Sequence, residues 1–235
     1  MKFYQPFSPV IYKSEMSEDF HSYVFDNIHR ILDYKKNASK NLAGNIENQW
    51  QSRNIDYERY KKFLKPHIIE YINHIVDFEL AYSKLDSDKT EILLDPDENI
   101  VRAKCTENNL DYSMGFDDWK GPWLNIQIAD EFNPLHSHGG VISGILFLQI
   151  PKEIEEERQE YKSKYSSVHG LLTFVRDNTS IFIKPKDMGL LLFPSKLQHM
   201  VYPFKSSDVE RITMSFNVDN ISIGEKYWVI PPHFT

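Results

Sequence analysis

The sequence predicts an α+β chain, mainly β, in which N-terminal helices cover a barrel or sandwich of short strands. Three observations carry this. Apolar residues recur at helical spacing in two stretches before residue 86. After Leu85 the pattern changes to short apolar runs divided by Pro, Gly, Asn and Asp. The last long run alternates polar and apolar residues over eight positions. A length of 235 residues with 41% hydrophobic and 26% charged content suits one globular domain. Residues 1–90 then form a helical layer and 91–235 the β core.

From Ser17 to Lys36 the residues Phe20, Val24, Ile28, Ile31 and Leu32 mark one buried stripe, with Glu18 and Asp19 in the first turn, where the helix dipole favours acids. Asn37 to Asn54 is rich in Asn, Ser and Gln, lacks periodicity and reads as a loop that Trp50 pins down. A second helical region from about Asp56 to Leu85 carries Tyr60, Leu64, Ile68, Ile72, Ile75 and Val76 on one side, and Pro66 divides or kinks it. His21, His29, His67 and His74 fall on these helices and read as scaffold residues, not ligands.

The candidate strands are Glu91–Leu94, Ile100–Cys105, Trp123–Ile128, Val141–Ile150, Leu171–Val175, Ser180–Ile183, Gly189–Phe193 and Glu210–Asn217, with Lys226–Ile230 as a further one. Lys152–Ser167 is dense in charge and reads as a solvated insertion, helical or mobile, on the rim of the β core. Cys105 is the single cysteine, which excludes an internal disulfide and reads as a packed strand residue.

A net charge of −7 disfavours a broad nucleic-acid footprint, which needs clustered Lys and Arg. No stretch reaches the ~18 apolar residues of a membrane span, and Met1-Lys2-Phe3-Tyr4-Gln5 does not begin a signal peptide. The expected location is the cytoplasm of a bacterium or an infected host cell. Gly-x-Ser-x-Gly, Walker and dinucleotide-binding motifs are absent, so serine hydrolase, nucleotide hydrolase and Rossmann chemistry lack their parts.

His136-Ser137-His138 precedes the strand beginning at Val141. Histidines two apart on extended backbone point the same way and can reach one ion, although such a pair alone often only caps a turn. His199, after Leu190-Leu191-Leu192-Phe193-Pro194-Ser195, is the third candidate ligand. Arg211 follows it by 12 residues on a run that alternates Arg211, Thr213, Ser215 and Asn217 against Ile212, Met214, Phe216 and Val218. That polar face could meet solvent. Beside a metal it would form an anion pocket, with Arg211 gripping a carboxylate through paired hydrogen bonds. An organic acid held by the metal at one end and by Arg211 at the other suggests 2-oxoglutarate. Asp130 and Glu131 are the nearest alternative carboxylates and are not favoured as ligands. His169 and His233 lack ligand spacing, and Ser143-Gly144 lies within a strand, where a packing role is expected.

Taken in order, Trp123-Leu124-Asn125, His136-Ser137-His138-Gly139-Gly140 with Ser143-Gly144, Pro185 and Gly189, Leu192-Phe193-Pro194-Ser195-Lys196-Leu197-Gln198-His199, and Arg211-Ile212-Thr213-Met214-Ser215-Phe216-Asn217 resemble the 2-oxoglutarate and iron(II)-dependent oxygenases, most nearly a bacterial and phage branch. The resemblance covers roughly Trp123 to Asn217. It implies a double-stranded β-helix, that is, a jelly-roll or cupin-like barrel. It also implies His136 as the first Fe(II) ligand, His199 as the distal one, and Arg211 with Thr213 on the far carboxylate of 2-oxoglutarate. Asn125 and Gln127 lie on a strand that adds cosubstrate contacts in such proteins.

His138 stands where the wider superfamily has Asp or Glu. A third imidazole would leave the iron one charge more positive, strengthening binding of a dianion and letting nickel, copper or zinc compete. The implied activity consumes O2 and 2-oxoglutarate, releases succinate and CO2, and hydroxylates a second substrate. A peptide side chain is preferred there to a metabolite or a nucleobase, with Trp119, Trp123 and Tyr202 near the presumed barrel mouth. The helical layer could serve as a homodimer face or simply cover one side. The rival reading is a non-catalytic cupin-like binding module, such as a phage accessory or structural part. A zinc hydrolase ranks last, since no carboxylate is well placed as its general base.

Overall fold

The computed structural model describes residues 3–4, 9–33, 37–52, 55–85, 104–115, 121–160, 168–228 and 230. The strand expected at Glu91–Leu94, most of the one at Ile100–Cys105, Trp119 and His233 lie outside these residues. Cys105 is described and is buried. It sits in no strand, and its backbone N–H and C=O are both bonded to the side chain of Asn73.

Helix α1 (Glu18–Asp33) buries Phe20, Val24 and Ile28. Helix α2 (Tyr57–Leu85) buries Tyr60, Leu64, Ile68, Tyr71, Ile72, Ile75 and Val76 on one stripe. Pro66 does not divide it. The proline lies on the exposed side of a helix fixed by that stripe, where solvent can satisfy the carbonyl left without its donor.

The rest is mainly antiparallel β. The larger sheet runs β1 (Phe3–Tyr4), β2 (Ile11–Glu15), β10 (Gly189–Pro194), β7 (Ile142–Gln149), β12 (Arg211–Ile223), β5 (Trp123–Gln127), β3 (Asn48–Gln51), and β4 (Leu110–Met114) and β13 (Lys226–Trp228) also pair with β12. The smaller sheet runs β6 (Asn133–His136), β11 (Gln198–Val201), β8 (Leu172–Arg176), β9 (Thr179–Ile183). Strands β8 and β9 close on Asp177-Asn178, both at positive φ, as a two-residue hairpin turn requires.

Strand alternation builds two apolar layers. Ile212, Met214, Phe216 and Val218 of β12, with Leu146 and Leu148 of β7 and Leu190 and Leu192 of β10, pack against α1 and α2. The opposite face contributes Ile11, Ile145, Phe147, Leu191 and Phe193, which meet Leu172, Phe174, Ile183 and Val201 of the smaller sheet. Gly144 is needed where β7 and β12 meet, since a Cβ there would lie 2.1 Å from the Phe216 ring. Among the described residues no helix is long and apolar enough to cross a membrane.

Two segments depart from expectation. Within the supposed loop 37–54, Ser39–Asn41 forms a 3₁₀ turn and β3 pairs with β5. Its inward residues are Gln49 and Gln51, both buried, so the alternation carried no apolar signal. The charged insertion begins with helix α3 (Lys152–Glu160), one of the two forms expected for it, but it is not wholly solvated, since it buries Ile154 and the charged Glu157. Charge density hid that burial, because Glu157 is buried through hydrogen bonds and not through apolar contact. Strands β1, β2, β4, β6 and β11 are not among the expected ones; in β6 and β11 Asn133, Pro134, His136 and His199 hold half-buried or buried positions and break the apolar pattern.

Candidate metal centre and anion pocket

The register of β6 against β11 sets His136 directly opposite His199. His138 lies two residues beyond the end of β6, and its imidazole reaches the same place as that of His136. Its amide donates to the Ser195 carbonyl at 2.8 Å, and its ring lies close to the other two. One ligand nitrogen from each of the three histidines lies within 4.8 Å of the others. Ring centroids are 4.3 Å apart for His136 and His199, 4.8 Å for His136 and His138, and 5.0 Å for His138 and His199.

The two opposed histidines repeat one local motif. His136 Nδ1 donates to the Pro134 carbonyl at 2.7 Å, and His199 Nδ1 donates to the Leu197 carbonyl at 2.9 Å. A carbonyl only accepts, so the proton sits on Nδ1 and the Nε2 lone pair is left for a metal. Burial holds all three imidazoles below the usual histidine range. For His138, at about 2, the neighbouring His199 and His136 add to it, and for His199, at about 3, His136 does. The cluster is therefore neutral at neutral pH, the form that ligates a cation. Trp123 packs edge-on to His138, and Phe193 and Phe174 pack against His199.

Neither neighbouring carboxylate joins them. Asp130 pairs with Lys205. Glu131 accepts the amides of Glu47 at 2.8 Å and Ile128 at 2.9 Å, which commits both of its oxygens to backbone.

The same cavity, of about 40 Å³, is lined on the larger sheet by Asn125, Gln127, Arg211, Thr213 and Ser215. Arg211 is only 3% exposed. Its single hydrogen bond among the described residues runs from Nη1 to the Gly170 carbonyl at 2.9 Å, and its buried Nε has no partner. Burial, and then nearby Arg158, lower its pKa to about 10, which leaves it cationic at neutral pH. Phe147 lies 5.8 Å from the guanidinium. Among the described residues no carboxylate pairs with this charge.

Asn125 lines the cavity, but its amide is engaged within the protein. Nδ2 reaches Thr213 Oγ1 at 3.3 Å and Ser215 Oγ at 3.2 Å, and Oδ1 accepts from Gln49 Nε2 at 2.8 Å. Gln127 Nε2 donates to the Glu131 carbonyl at 2.6 Å. Gln49 and Asn133 also line the cavity, and the sequence reading missed both because amides give no strand signal. Ser143 does more than pack, since its hydroxyl donates to Asn217 Oδ1 at 2.7 Å. Among the described residues the other histidines sit apart from this cluster. His21 Nε2 bonds the Leu148 carbonyl, His67 bonds the Tyr12 hydroxyl, His169 bonds Glu157, and His29 is exposed.

Residues 121–217 match the family described as "Putative 2OG-Fe(II) oxygenase". No curated protein matches the chain. Among solved structures, the chain is similar to a prolyl-4-hydroxylase from Pseudomonas putida at 16% identity and a TM-score of 0.30, over 42% of this chain and 50% of that one. A 2OG-Fe(II) oxygenase family oxidoreductase from Burkholderia pseudomallei aligns at 12% identity and a TM-score of 0.34, over 48% and 45%. A prolyl hydroxylase from Trichoplax adhaerens, solved with a hypoxia inducible factor oxygen degradation domain peptide fragment, aligns at 11% identity and a TM-score of 0.47, over 93% and 83%. The chain thus spans about half the length of the first two.

Proposed function

We propose that this chain, which over residues 121–217 resembles the 2OG-Fe(II) oxygenase family, is a 2-oxoglutarate- and Fe(II)-dependent dioxygenase that hydroxylates a second substrate. The observation that carries the reading is Arg211. An almost fully buried guanidinium with no carboxylate partner and an unpartnered Nε shares one cavity with three neutral imidazoles. A buried, unpaired charge costs several kcal/mol, so a site of this kind favours an anion that completes it. A short dicarboxylate reaching from the histidines to Arg211 meets both needs.

In this reading the two antiparallel sheets are the halves of a double-stranded β-helix, and His136, His138 and His199 hold Fe(II) through Nε2. Bound Fe(II) would supply the oxygen chemistry by which 2-oxoglutarate, O2 and a C–H substrate give succinate, CO2 and an alcohol. Arg211 and Thr213 receive the far carboxylate of the cosubstrate. Asn125 holds Thr213 and Ser215 in place and links them to Gln49. Trp123, Phe174 and Phe193 keep water from the imidazoles. A peptide side chain is the second substrate to test first.

The deciding experiment reconstitutes the purified chain anaerobically with Fe(II), titrates 2-oxoglutarate, and then admits air with candidate peptides present. Binding followed by succinate formation is expected. Absence of both would overturn the reading.

A further inference from the structure

The hydrogen bond that Arg211 makes leaves its own sheet and ends on the turn that leads into β8. Its acceptor, the Gly170 carbonyl, belongs to residues 168–170, and three contacts hold that turn. The Gly170 amide donates to the Pro203 carbonyl at 3.0 Å. Arg158 of α3, with a side chain 8% exposed, donates Nη1 to the His169 carbonyl at 2.6 Å and is held by Glu155 at 2.5 Å. Glu157 accepts from His169 Nδ1 and from the amides of Lys205 and Ser206, at 3.0 and 3.1 Å, which ties α3 both to the turn and to the segment after Pro203 that the turn bonds. Ile154 closes the remaining space, since a Cβ on Gly170 would lie 2.5 Å from Ile154 Cγ2.

Two guanidiniums therefore donate to consecutive carbonyls, Arg158 to residue 169 and Arg211 to residue 170. These carbonyls lie in successive peptide planes that meet at the Gly170 Cα, and the Gly170 amide, which shares the first plane with the His169 carbonyl, is itself held by Pro203. The charge of Arg158 is already met by Glu155, and Arg158 does not line the cavity, so it acts as a brace and not as a second anion ligand.

We propose that helix α3 positions the cosubstrate anchor: Arg158 and Glu157 fix the 168–170 turn, and the Gly170 carbonyl holds the Arg211 guanidinium in the orientation that receives a carboxylate. This rests on reading Arg211 as that anchor. A pre-set guanidinium binds more tightly than one that must be ordered on binding.

The test uses the full chain loaded anaerobically with Fe(II) and titrated calorimetrically with 2-oxoglutarate and with 2-oxobutyrate, which lacks the far carboxylate. Arg158→Ala is expected to raise the Kd for 2-oxoglutarate about ten-fold, the effect of one well-placed hydrogen bond. Metal content and the Kd for 2-oxobutyrate should stay unchanged. Arg158→Lys, which keeps a donor, should recover part of the loss, and Glu157→Gln should move the Kd in the same direction. Lys152→Ala, at an exposed position on the same helix, should have no effect. Equal losses for both keto acids, or a fall in metal content, would mark a general structural role and overturn the proposal. Wild-type affinity in Arg158→Ala would overturn it while leaving the anchor intact. A wild-type chain that takes up Fe(II) but no 2-oxoglutarate would overturn the anchor and this inference together.

Discussion

His136 and His199 face each other across β6 and β11 with ring centroids 4.3 Å apart, and each donates its Nδ1 proton to the carbonyl two residues earlier. The sheet register, and not a flexible loop, sets the spacing of these two rings. His136→Ala and His199→Ala should therefore each weaken metal binding by more than ~100-fold, beyond the ~10–100-fold that loss of an outer-shell partner costs. His138→Asp should keep stoichiometric iron, because it supplies the carboxylate such sites commonly use. Metal-to-protein ratios after dialysis against Fe(II) would check all three.

Arg211→Ala should remove 2-oxoglutarate binding, raising Kd by at least ~10–100-fold for the loss of charge-assisted hydrogen bonds, with metal content unchanged. Arg211→Met carries a second expectation. It replaces a buried, unpaired charge by an apolar side chain of similar length, so the metal-free protein should gain on the order of 1 kcal/mol in stability while losing cosubstrate affinity. Urea midpoints alongside titration calorimetry would show the two effects moving in opposite directions.

Gly144→Ala should destabilise the fold by ~1–3 kcal/mol, the range for overpacking a close-packed core. The added methyl would meet the Phe216 ring, which is itself wedged edge-on against Tyr60 of α2. A second substitution, Phe216→Leu, should recover part of the loss by giving the methyl room. If the double variant is no more stable than Gly144→Ala alone, the ring contact is not the cause.

Glu157 gives the chain an acid-sensitive brace. Burial pushes its carboxyl up, but the Lys205 amide, the Ser206 hydroxyl and amide, and His169 outweigh that and hold it below the ordinary value of 4.5. A lowered folded-state pKa contributes stability that is complete above the unfolded value and is lost as pH falls through the folded one. Glu157→Gln should therefore be less stable than wild type at pH 7, and the difference should shrink as pH falls below the ordinary glutamate range and through the lowered folded value. Urea midpoints across that range would test it.

Much of the fold was legible because burial follows periodicity. Phe20, Val24 and Ile28 on α1, and Tyr60 through Val76 on α2, repeat every three or four residues and are buried as that spacing requires. β12 alternates strictly, and its apolar face packs into the core, where it meets the helices. β3 and the buried face of α3 were not legible for the converse reason. Gln49, Gln51 and Glu157 are buried by hydrogen bonding, which leaves no apolar pattern to read.

By itself the sequence determined the mainly β class, the three histidines and the polar face that begins at Arg211, since each depends on residue type and local spacing. Tertiary structure alone decided that His138 reaches the other two from beyond its strand, that Asp130 and Glu131 are engaged elsewhere, and that Arg211 is buried without a counter-charge. It also decided that a charged insertion braces Arg211 through the turn at Gly170. The reason is physical: whether a charge is paired, and whether two rings are opposed, depends on strand register and on contacts between residues far apart in the chain.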